Sequence, residues 1–257
     1  MANPRLLIDA PLSAGVALVL DEAQARHVGT VLRLDVGDAL RVFNAADGEW
    51  RARVADKTKR GMSVRVEEKL REPRAAPDLD LLFAPVKRHA TDLIVEKATE
   101  LGVRRLRPII TQRTIAETVR VDRLHAIARE AAEQTERFDA PEIAEPVALA
   151  KALDGWDAMR GLIFADEAGD EDGAPWGGER GRAAPIAERT AALTHTRLAV
   201  LIGPEGGFDE KERALALSAP HVLRVSLGPR ILRADTAAVA GMALVQSVFG
   251  DWAGSIR

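Results

Sequence analysis

Cysteine is absent from the chain, so no disulfide, thiolate zinc site or cysteine nucleophile can be built from it. That composition suits a reducing cytosol, and a cytoplasmic location is expected. Histidine is sparse. His27, His89, His125, His195 and His221 stand far apart with no H-x-x-x-H or similar spacing, and no metal is expected. Long apolar runs are missing too: Val16 to Leu20 is too short to span a bilayer and has no basic leader, so neither a signal peptide nor a membrane anchor is expected. Nor is there an overall excess of positive charge. The formal net charge is -3, which taken alone argues against a nucleic-acid partner.

The distribution of charge says otherwise. Between Arg51 and Arg74 nine basic residues stand against four acidic ones, while acid gathers from Asp166 to Asp172. With 257 residues, 47% of them hydrophobic, the chain can bury a real core in one large or two ordinary domains. Its first part reads as β-rich with one helix. Leu40 and Val42 alternate with polar neighbours, Asp47-Gly48 is a strong hairpin signal, and Trp50, Ala52 and Val54 alternate with Arg51 and Arg53. Met62, Val64 and Val66 repeat the pattern after a polar turn at Lys57 to Gly61. Asp21 to Leu32 reads as a helix with Ala25, Val28, Val31 and Leu32 on its inner face and Arg33 just beyond. The outward basic residues are either a solvated sheet face or an electrostatic footprint for phosphates.

Glu72 to Pro77 interrupts every periodicity and reads as a linker, which divides the chain into domains of residues 1–74 and 75–257. Beyond it strands and helices alternate. Strands are expected at Leu79 to Val86, Leu106 to Ile110, Leu162 to Ala165, Leu198 to Ile202 and Val222 to Leu227. Helices are expected at Thr91 to Leu101, Val121 to Arg137, Glu210 to Ser218 and Thr236 to Phe249. Such alternation predicts a parallel sheet covered by helices on both faces. Gly169 to Ala184 reads as a mobile surface loop without chemistry.

Two stretches share one design, an apolar strand running into a glycine turn that opens a helix: Leu201-Ile202-Gly203-Pro204-Glu205-Gly206-Gly207-Phe208, and Leu227-Gly228-Pro229-Arg230-Ile231-Leu232-Arg233-Ala234-Asp235-Thr236-Ala237. Neither familiar glycine loop fits. A dinucleotide fingerprint needs G-x-G-x-x-G and an acidic residue about 20 positions on, where this chain has Leu223 to Ser226. A phosphate-cradling loop needs Lys-Ser or Lys-Thr after its last glycine, where Phe208-Asp209 follows. A carboxylate at Glu205 would also repel a pyrophosphate. A cationic or amphipathic ligand suits this loop better.

These two stretches resemble the bacterial 16S ribosomal RNA uridine-N3 methyltransferases, a branch of the SPOUT methyltransferases. Lys97 to Val103, Glu133-Gln134-Thr135-Glu136-Arg137 and Pro141-Glu142-Ile143 match that family in the same order. The resemblance implies an α/β fold: a knotted, SPOUT-like parallel-sheet C-terminal domain preceded by a small PUA-like β-barrel. It implies S-adenosylmethionine as donor, 16S ribosomal RNA of the small subunit as substrate, and a homodimer. A related knotted enzyme acting on another RNA or on a ribose hydroxyl is one alternative, and an RNA-binding protein that has lost catalysis is another.

Methylation at N3 requires the uracil proton to leave and the negative charge on the ring to be stabilised. Arginine can donate to a carbonyl oxygen and pair with a nearby phosphate, which makes Arg233 and Arg137 the candidates, with Arg230 nearby. Asp235 departs from the commoner glutamate of the family. It is either a partner in catalysis or a cap for the helix expected from Thr236. Cofactor-binding candidates are Leu201, Ile202, Gly203, Pro204, Glu205, Gly206, Leu227, Gly228, Ile231, Leu232, Thr236 and Ala237. Substrate-binding candidates are Gln134 and Glu133, expected to share a helix sector with Arg137, together with Arg33, Arg51, Arg53 and Arg230. For Glu133 and Arg137 the plainer reading is an exposed ion pair. The last helix is apolar almost all round and must be buried, inside its domain or against a second subunit.

Overall fold

The computed structural model describes residues 3–58, 61–116, 118–167, 183–192 and 195–252. Lys59, Arg60 and most of the expected loop from Gly169 lie outside them. The chain forms two compact units, the first comprising Met1–Ala75 with Arg129–Ala140, the second Ala76–Ala128 with Pro141–Arg257.

The first unit is built on a five-stranded sheet of order β1-β3-β4-β5-β2, with β1 at Arg5–Leu7, β2 at Ala17–Val19, β3 at Ala39–Asn44, β4 at Gly48–Thr58 and β5 at Gly61–Arg71. β1 pairs parallel to β3 and the remaining pairs are antiparallel. Period-two alternation sends Leu40, Val42, Ala52, Val54, Met62, Val64 and Val66 into one buried core, as the sequence predicts. Helix α1, Glu22–Arg26, opens on a capping box between Asp21 and Gln24 and runs into a π-helical turn at His27–Val31. That wider turn rotates the face. Val28 is buried as expected, but Val31 is 64% exposed, a correction that a 3.6-residue period could not anticipate.

Inside this unit Arg5, only 6% exposed, closes the end of helix α3, Val121–Gln134. Its guanidinium donates to the carbonyls of Ala132 (3.1 Å) and Glu133 (3.2 Å), which a helix end leaves without intrahelical partners, and to that of Arg137 (2.7 Å) just beyond the helix. It also pairs with the buried Glu49 at 2.7 Å, which takes a second arginine, Arg71.

The second unit holds seven parallel strands. They run in the order β12-β10-β11-β6-β7-β8, with β9 also on β7. Here β6 is Leu79–Phe83, β7 Arg105–Ile110, β8 Glu142–Ile143, β9 Val147–Ala148, β10 Arg160–Ala165, β11 Arg197–Ile202 and β12 Val222–Val225. β6 is buried at every residue, Asp80 included, because helices cover both faces of the sheet. Those helices are α2 at Arg88–Glu100, α3, α4 at Leu149–Leu153, α5 at Glu210–Leu217 and α6 at Ala234–Val248. Gln246 on α6 is fully buried; its amide donates to Leu101 O at 2.5 Å and accepts from Asp251 N at 3.2 Å.

Candidate active site

After β10 the chain steps to β11, and after β11 it steps back across β10 to β12. Loops leaving neighbouring strands in opposite directions open a crevice at the strands' carboxyl ends, the usual place for a ligand in a parallel sheet. A pocket lies there, lined by the ends of β10 (Ala165, Asp166, Glu167), β11 (Ile202, Gly203, Pro204, Glu205) and β12 (Ser226 to Gly228, Arg230 to Leu232), and by Ala234 and Ala237 of α6.

Nine of the twelve expected cofactor residues line it: Ile202, Gly203, Pro204, Glu205, Leu227, Gly228, Ile231, Leu232 and Ala237. Leu201 is wholly buried in the core, Gly206 packs against Arg113, and Thr236 is exposed; none of these three is in the lining. Absence of a side chain matters at Gly203, where an added Cβ would come within 2.8 Å of the Phe208 ring. That ring is held edge-on to Phe164 at 5.4 Å, and the loop continues into α5 through a capping box of Asp209 and Glu212.

Sequence reading missed Ala165, Asp166, Glu167, Ser226 and Ala234. Asp166, Glu167 and Ser226 stand just past strand ends, while Ala165 is the last residue of β10 and Ala234 the first of α6; that placement is the signal that could have found them. Asp166, 4% exposed, pairs with Arg213 at 2.9 Å and Arg224 at 2.5 Å. Burial pushes the Glu167 carboxyl above its ordinary range, and neighbouring Asp166 adds to the shift while Arg113 and Arg213 oppose it. An apolar floor, strand-end backbone groups and the carboxyl groups of Glu205 and Glu167 suit an amphipathic ligand carrying positive charge. S-adenosylmethionine, with its adenine ring and its sulfonium and ammonium groups, fits that description.

Arg233 is the exposed N-cap residue of α6, and Arg230 is exposed on the pocket lining. The helix begins at Ala234, two residues before the expected start. Asp235 is therefore inside the first turn, not at its cap, and its carboxylate accepts from Thr236 N at 2.7 Å. α3 ends at Gln134 rather than Arg137, so the expected shared helix sector does not form. Glu133 accepts from Leu7 N at 3.0 Å, Gln134 is exposed, and Arg137 pairs with Asp139 at 3.0 Å. Arg33 is exposed at φ 56°, Arg51 is half-buried beside Glu68, and Arg53 pairs with Glu67 at 2.9 Å.

The fold has close counterparts. A ribosomal RNA small subunit methyltransferase E from Neisseria gonorrhoeae, bound to S-adenosyl methionine, superposes with a TM-score of 0.82 at 25% identity over 97% of this chain and 99% of that one. A putative methyltransferase from Legionella pneumophila, in complex with the bound cofactor SAM, superposes at 0.81 with 27% identity over 96% and 98%. Fold and pocket together define a knotted, SPOUT-like α/β methyltransferase carrying a PUA-like domain.

Residues 73–246 match the family model described as an RNA methyltransferase domain, and residues 20–67 that of an RNA methyltransferase PUA domain. The ribosomal RNA small subunit methyltransferase E of Rickettsia conorii is 32% identical over 96% of both chains, and that of Synechocystis 29% identical over 95% of this chain and 77% of its own. The chain belongs to this family of RNA methyltransferases.

Proposed function

We propose that this protein transfers a methyl group from S-adenosylmethionine to N3 of a uridine in 16S ribosomal RNA, within the small subunit, as a homodimer in the cytoplasm. The observation that carries the reading is the pocket at the carboxyl ends of β10, β11 and β12, formed by the two glycine loops that match the family. Relatives bearing the ribosomal RNA small subunit name support the substrate, and the donor-bound structures support the cofactor. No helix among the described residues is long and apolar enough to cross a membrane.

In this reading residues 1–74 supply RNA affinity and residues 75–257 the methyltransferase domain. Ile202, Leu227, Ile231 and Leu232 hold the adenine, with Gly203 and Gly228 offering backbone groups to its edge and ribose. Glu205 and Glu167 draw the cationic part of the donor. When bound, the donor supplies an electrophilic methyl group on a sulfonium. Arg233 and Arg137 donate to the uracil oxygens as the N3 proton leaves, lowering the charge the ring must carry, and Asp235 holds the start of α6 beside Arg233. Arg230, Gln134, Glu133, Arg33, Arg51 and Arg53 are assigned to the RNA.

Incubation with labelled donor and small subunits from a strain lacking this enzyme, followed by nucleoside digestion, should yield 3-methyluridine. Label in a 2'-O-methylated nucleoside would move the acceptor, and no label in any RNA would overturn the reading.

A further inference from the structure

A second cleft opens in the same unit between residues 85–92 on one side and residues 115–116 and 118–124 on the other, with Lys87, Arg88 and Arg120 on its walls. All three are exposed, and none makes an ion pair among the described residues. Arg123 beside them is different: it clasps Asp92 through contacts of 3.0 and 2.6 Å. The cleft is not only charged. Val119, half-buried, contributes apolar surface, and Ile115 leaves 55% of its own surface in water. One wall is firm, since the Thr91 hydroxyl both accepts from Val86 N and donates to Val86 O at 3.0 Å.

Both walls are fastened to the donor-site loop. Ala84, immediately before the first wall, donates from its amide to Ile202 O at 3.1 Å. Ahead of the second wall, Arg113 donates to Gly206 O at 2.7 Å and Gln112 N donates to Glu212 Oε1 at 2.7 Å. Cations without an ion-pair partner among the described residues, beside apolar surface and tied to the loop that carries the donor pocket, are complementary to a polyanion with flat apolar faces.

We propose that this cleft is a binding site for single-stranded RNA, in which Lys87, Arg88 and Arg120 hold phosphates of nucleotides flanking the methylated base while Ile115 and Val119 take a ribose or base face. The inference rests on the RNA methyltransferase reading above and adds a subsite to it. It is tested with the full chain carrying Lys87→Ala, Arg88→Ala and Arg120→Ala together. The three readouts are anisotropy of a fluorescent single-stranded fragment of small-subunit ribosomal RNA across a KCl series, calorimetry of S-adenosylmethionine binding, and sedimentation for oligomeric state.

RNA affinity should fall at least about tenfold, and the slope of log affinity against log salt should flatten by about 2, three contacts at roughly 0.7 each. Donor affinity and oligomeric state should match the parent. Unchanged RNA affinity and slope, or a parent that does not hold the RNA, would overturn the proposal. So would loss of self-association in the variant, which would give the face to a second copy of the chain. A parent that binds the RNA but leaves it unmethylated fails the function reading alone, because the binding comparison still stands.

Discussion

Gly203 is the residue on which the donor pocket is most sharply testable. A valine there would press its Cβ into the Phe208 ring at 2.8 Å, and that ring is already seated on Phe164. Gly203→Val should weaken S-adenosylmethionine binding by at least about tenfold, roughly 1.4 kcal/mol by calorimetry. Asp235 poses a different question. Asparagine keeps an oxygen for Thr236 N, so Asp235→Asn should retain turnover within about threefold; a fall of about a hundredfold or more would make Asp235 the general base. Glu49 concerns stability. Burial pushes its carboxyl up, but hydrogen bonds from Arg71 and Arg5 outweigh that and leave it below the ordinary range. A depressed carboxyl stabilises the fold above its unfolded value of about 4.3, and that contribution is lost as pH falls through the lower folded value. Glu49→Gln should cost about 3–5 kcal/mol at neutral pH, a difference that shrinks as pH falls below the ordinary carboxylate range, in denaturant unfolding followed by tryptophan fluorescence.

At the level of the element, α6 depends on more than its apolar faces. Gln246 bonds the carbonyl at the end of α2, and Gly102 is placed so that a Cβ would come within 2.7 Å of the Gln246 amide nitrogen. Gln246→Leu should lower stability by about 1–3 kcal/mol in chemical denaturation through the unsatisfied Leu101 carbonyl, with donor affinity unchanged. The sequence made β10 and β11 legible by the apolar runs Leu162 to Ala165 and Leu198 to Ile202, β6 by an apolar run broken only at Asp80, and β3, β4 and β5 as alternations, because burial on two faces and on one leaves those patterns. It concealed the two-residue strands β8 and β9, which carry too few side chains for a period. It also hid the end of α3, since Thr135 continues the helical spacing while Glu136 turns to φ 62°. Of the pocket, the glycine loops were readable; Asp166 and Glu167 were not, because a carboxylate after a strand looks like any surface acid until the strand order is known.

On the scale of the molecule, the composition and linker signalled two bodies, but nothing in a linear pattern showed that Arg129–Ala140 joins the first. That membership depends on pairings over more than a hundred positions, such as Arg5 with the carbonyls of Ala132 and Arg137 and Leu7 with Glu133. A fragment of residues 1–75 should fail to show a cooperative thermal transition by circular dichroism, whereas the full chain should show one, because Arg5 would keep its charge and lose three acceptors. Synthesis imposes the same requirement in time. As a nascent polypeptide leaves the ribosome, its amino-terminal module cannot lock until Ala140 has cleared the exit tunnel. Until then chaperones would meet a half-closed body, and a pause in translation between Ala75 and Arg129 would prolong that exposure.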